Sequence, residues 1–114
     1  MESLCQHARK VFELAQVDSK GISIETHLRA AWKATKRKPP ELNVPEIPLM
    51  VTYLWESYLD LRNGSELITF REISAYNDLT GAKIVGRDAL TVRKLDRIWF
   101  EVKSEADDRR RTTH

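Results

Sequence analysis

"ITFREISAYNDLTG", residues 68–81, spells out both ends of one short helix. Thr69 stands three residues before Glu72. At that spacing the threonine hydroxyl accepts from the Glu72 amide, and the glutamate carboxylate accepts in return from the Thr69 amide, a capping box. Ile68 and Ile73 flank the box at the positions of a hydrophobic staple. Ile73, Tyr76 and Leu79 predict the buried side, and Gly81 predicts the exit. A helix specified this closely, with no chemistry-bearing residues around it, points to packing and binding rather than catalysis.

The helical period continues on both sides. Upstream, "LMVTYLWESYLDLR" (49–62) is the most apolar and aromatic stretch. Leu54, Tyr58 and Leu61 mark its core stripe, and Val51, Trp55 and Leu59 widen it. Pro48 suits its first turn, and Asn63–Gly64 predict a left-handed exit. Downstream, "GRDALTVRKLDRIWFEVKS" (86–104) puts Ala89, Val92, Leu95, Trp99 and Val102 on one face. The following "EADDRRRTTH" has no apolar anchor and is expected to fray.

Toward the start, 3–16 and 23–37 predict a pair of amphipathic helices, with Ser3 and Ser23 as N-caps. Lys33, Lys36, Arg37 and Lys38 crowd the end of the second, where cations oppose the negative helix terminus. All four prolines fall in 39–48, a stiff linker expected to separate this pair from the rest. "KIV" (83–85) is too short for a sheet. The expected fold is all-α: a bundle of about five helices in one domain, 1–104, with an N-terminal helical pair, a Pro-rich linker and a three-helix C-terminal unit (49–104).

Composition narrows function by exclusion. The chain has 114 residues, enough for one domain. Its net charge of +2 argues against coating nucleic acid by bulk charge. Cys5 stands alone, so no intrachain disulfide forms. The start lacks the order of a signal peptide, and no apolar run approaches the ~20 residues that span a bilayer. A cytoplasmic protein is expected. His7, His27 and His114 lie far apart and match no zinc spacing. Cys5 and His7, two apart on a helix, point in different directions, so no nucleophile–base pair arises. The glycines all sit at helix boundaries and form no phosphate loop. No catalytic residue, cofactor or metal site is expected.

Three binding readings survive. On helix 49–62, Tyr53 and Trp55 point to roughly opposite faces. One face is core, and the other is either a second packing layer or a protein interface with Tyr53, Trp55 and Leu59 as its residues. Alternatively, 69–81 followed by 86–97 forms a loose helix-turn-helix, with Arg87, Arg93, Lys94 and Arg97 facing phosphates. The joint "TGAKIVG" is long for that motif, and the apolar residues leave a narrow polar face. The like-charged pair Glu56 and Asp60 is expected on the outward side of its helix, and a small enzyme inhibitor using it is a third reading.

The order of these signals resembles a group of small tail-assembly proteins of long-tailed bacteriophages. The elements are the linker Pro39–Pro48, the aromatic helix with Tyr53-Leu54-Trp55 and Leu61-Arg62, the capped helix Thr69–Gly81 ending "LTG", and Leu95-Asp96 with Trp99. The resemblance runs over about 33–100. Two features depart from it: Gly86-Arg87 replaces a proline and an aromatic, and the loop "RNGSEL" is short. The resemblance implies a tail assembly chaperone that binds the tape measure protein, shields its apolar helices and recruits tail tube protein, often beside a longer frameshifted product. It leaves homo-oligomerisation open.

Overall fold

The computed structural model of the protein describes residues 2–62 and 66–112, with 110–112 as backbone only. Five α-helices follow in order: α1 (Glu2–Ala15), α2 (Ile24–Thr35), α3 (Thr52–Leu61), α4 (Phe70–Thr80) and α5 (Arg87–Thr112). Short 3-10 turns at Pro40–Leu42 and Leu49–Val51 interrupt the linker and lead into α3. The all-α expectation holds. The exit expected at Asn63–Gly64 and the last two residues, including His114, lie outside the described residues.

The capping signals form as written. The Thr69 hydroxyl accepts from the Glu72 amide at 3.1 Å, and the Glu72 carboxylate accepts from the Thr69 amide at 3.3 Å. Ile68 and Ile73 are both buried beside it. Gly81 closes α4 in the left-handed conformation, φ 76°, and its amide donates to the Asn77 carbonyl. Ser23 caps α2 by accepting from the Thr26 amide. Ser3 is not a cap, because α1 already runs from Glu2.

α3 and α5 lie side by side and run in the same direction. Tyr53 reaches Asp88, Tyr58 reaches Asp96, and Arg62 stacks over Phe100. α1 follows α5 the same way, with Cys5 beside Leu90 and Arg9 reaching Glu101 and Glu105. Three parallel helices need long returns, and the chain supplies them: α2 with the linker for one, α4 with its flanking loops for the other.

The core draws Leu4, Ala8 and Phe12 from α1, Leu54, Trp55 and Tyr58 from α3, and Val92, Leu95 and Val102 from α5. This changes the expected grouping. α1 does touch α2, but its buried stripe belongs to the same core as α3 and α5. Nor does the linker hold the helices apart. Leu42 is buried, Ile47 packs on the core, and His7 Nδ1 donates to the Pro45 carbonyl at 2.7 Å. α2 buries no residue and forms a thin outer layer on α1 and the 40–42 turn.

α5 is longer than the 86–104 expected. Val102 and Ala106 are both buried, so the apolar stripe continues past 104 and α1 holds the helix in register. Twenty-six residues span roughly 39 Å, which makes the molecule elongated. Its radius of gyration is 16.1 Å, against about 13 Å for a compact domain of this length.

Candidate protein-binding surface

The residues expected at an interface on α3 separate. Tyr53 is 46% exposed and Leu59 49%, but Trp55 is only 9% exposed. The second apolar side of α3 is covered by α1: the Trp55 ring lies 5.1 Å from His7 and 5.6 Å from Phe12. Burial against α1 therefore removes Trp55 from any surface. The exposed arc of α3 is instead Tyr53, Glu56, Leu59 and Asp60, two apolar groups flanking two carboxylates. Both ends of this arc are tied down. The Tyr53 hydroxyl donates to the Asp88 carboxylate, a bond that raises the phenol above its ordinary range and leaves the ring face open. Asp60 accepts from the Tyr76 hydroxyl at 2.9 Å and so braces α4.

The most exposed apolar side chains come from the segments where α3 begins, α4 ends and α5 begins. Tyr53 and Asp88 bring the starts of α3 and α5 together. Asn77 brings in the end of α4: its amide nitrogen donates to the Ile84 carbonyl at 2.9 Å, and its amide oxygen accepts from the Ile84 amide at 3.1 Å. This pair of hydrogen bonds fixes the Ile84 backbone, whose side chain is buried, while the next residue, Val85, is exposed. Among the described residues, the five most exposed large apolar side chains all belong to this end: Leu49, Met50, Leu79, Val85 and Leu90, from 56% for Leu90 to 89% for Leu49. Leu79 was expected inside with Ile73 and Tyr76. It is six residues on from Ile73, about 120° round the helix, and only Ile73 is fully covered.

A buried polar cluster holds the other end of α3. Asp96 is 1% exposed. It accepts from the Tyr58 hydroxyl at 3.1 Å, from the Ile68 amide at 2.7 Å and from the Arg62 guanidinium. Arg62 also donates to the Glu66 carbonyl and stacks 4.8 Å from the Trp99 ring centre. Burial, then the Asp96 charge, pushes the Tyr58 phenol well above its usual range. Sequence reading missed this cluster and the role of Asn77. The signal for the first was present: Asp96 interrupts the apolar face of α5 between Val92 and Trp99.

Of the cations considered for nucleic acid, Arg87, Lys94 and Arg97 are exposed, while Arg93 stacks 4.4 Å from the Phe70 ring centre. Leu90 and Glu101 share their side of α5. Among the described residues, no group of His, Cys, Asp and Glu could hold a metal ion, and no helix is long and apolar enough to cross a membrane.

Residues 31–101 match a family model described as phage tail assembly chaperone. The match takes in the linker, α3, α4 and most of α5, and leaves out α1. No curated protein and no solved structure matches the chain.

Proposed function

The chain belongs to the phage tail assembly chaperone family, and from that premise we propose that it binds the tape measure protein and recruits tail tube protein to it. The observation that supports this reading is the apolar end. A folded domain that leaves Leu49, Met50, Leu79, Val85 and Leu90 open is suited to another protein's apolar helix. Tyr53 borders that end, Arg87 adds a charged group at the start of α5, and Glu56, Leu59 and Asp60 continue the exposed arc along α3. Tyrosine suits this position because its ring packs while its hydroxyl stays paired. A surface built on a few apolar anchors beside charged groups holds its partner reversibly, and release is what assembly requires. The work is done by binding alone, without catalysis or cofactor, in the cytoplasm of the bacterial host.

The test is co-expression with affinity-tagged tape measure protein and, separately, tagged tail tube protein, followed by pull-down. The native chain is expected to be captured by both. A triple variant, Leu49→Ser, Met50→Ser and Leu79→Ser, is expected to keep its helical circular dichroism and lose capture. Undiminished capture of the triple variant places the contact elsewhere.

A further inference from the structure

We propose that the C-terminal half of α2 is a second, separate docking site, and that its occupant is an acidic amphipathic helix of a partner protein. Five of the ten residues 29–38 are cationic, and no carboxylate occurs from residue 26 to residue 40. Arg29 is paired with Glu25 at 2.9 Å, whereas Lys33, Lys36 and Arg37 have no ion pair within the described residues. These charges surround an aromatic group. Arg29, Trp32, Lys33 and Lys36 line a shallow depression of about 460 Å³, and the Lys38 ammonium lies 5.5 Å from the centre of the Trp32 ring. Lys36 sits at the helix exit with φ 60°, a left-handed backbone that a β-carbon disfavours. Glycine would suit that position, yet the chain places a cation there.

The rest of α2 indicates what kind of anion fits. Ile24, Leu28 and Trp32 follow one stripe, none of them fully buried, with Arg29 and Lys33 in the row beside it. A partner helix with an apolar row and a neighbouring acidic row matches both rows at once. Nucleic acid fits less well. The basic part of α2, from Arg29 to Lys36, is only about 10 Å long. It holds one aromatic group, already approached by Lys38, where single strands need several stacking platforms. This site stands independently of the apolar end.

Fluorescence anisotropy of the full chain tests it, using a labelled Leu/Glu amphipathic peptide of about four helical turns. The expected result is binding that weakens as salt rises from about 50 to about 300 mM. The Glu→Gln version of the peptide is expected to bind at least about tenfold more weakly. Lys33→Glu with Lys38→Glu should bring a similar loss with unchanged circular dichroism. The Leu49/Met50/Leu79 triple variant should bind the peptide as the native chain does, so failure of this site and failure of the apolar end are told apart. Equal affinity for the Gln peptide overturns the proposal without reference to any variant. So does no binding of the Glu peptide, or tighter binding of oligothymidylate or of phosphatidylglycerol vesicles.

Discussion

Asp96 is one carboxylate with three donors and almost no water. Its attraction to Arg62 offsets the cost of dehydrating both ions only because Tyr58 and the Ile68 amide fill its remaining acceptor sites. Asp96→Ala strands the Arg62 charge and is expected to destabilise by about 3–5 kcal/mol. Tyr58→Phe removes one hydrogen bond and is expected to cost about 1 kcal/mol. Urea midpoints check both; equal losses would mean that the ion pair is not what the cluster protects. Asp18 makes a different prediction. Its carboxylate accepts from the Ile22 and Lys20 amides and from His27, and these bonds, the Ile22 amide first, lower it from 3.8 to about 2. A depressed carboxylate stabilises the fold above its unfolded value and stops doing so as pH falls through the folded one. The α1–α2 connection is therefore expected to lose order between about pH 4 and pH 2, with amide exchange at Lys20 and Ile22 rising first. In Asp18→Ala that pH step should be absent.

At the scale of the element, the best-specified helix is α4, because its two ends are local. Thr69→Ala removes the side-chain acceptor of the Glu72 amide, and a loss of about 1 kcal/mol is expected. An unchanged denaturant midpoint would show that the Ile68–Ile73 staple sets the helix start alone. Capping was legible because it depends on residues three or four apart. Which face a helix buries was only partly legible. The stripe Ile73, Tyr76, Leu79 is regular, but the bundle covers Ile73 fully and Tyr76 in part, and Leu79 runs past the edge. In α3 the opposite happened: Trp55, read as a candidate surface group, is covered by a helix that begins fifty residues earlier.

At the scale of the molecule, an elongated bundle with α2 outside and an uncovered apolar end leaves more apolar surface open than its core requires. A dye that fluoresces on apolar surfaces is expected to bind the native protein, and the Leu49/Met50/Leu79 triple variant should bind several-fold less dye at unchanged thermal midpoint. Dye binding that persists in the variant would locate the open surface on α2 instead, where Ile24 and Trp32 are each more than a third exposed.

The sequence by itself determined the five helices and the caps at Ser23, Thr69 and Gly81, and it placed the end of α2 near Thr35, where the structure closes it at Lys36 ahead of the prolines. Each is a matter of neighbours within one or two helical turns, and short-range hydrogen bonding and side-chain period settle it. Only the tertiary structure decided that α1 lies in the core, that α5 continues beyond Ser104 and that Asp96 gathers Tyr58, Arg62 and Ile68. It also decided that Tyr53 and Leu59 face out while Trp55 does not. The physical reason is that an amphipathic stripe states how much surface a helix must cover, and not which other helix arrives to cover it.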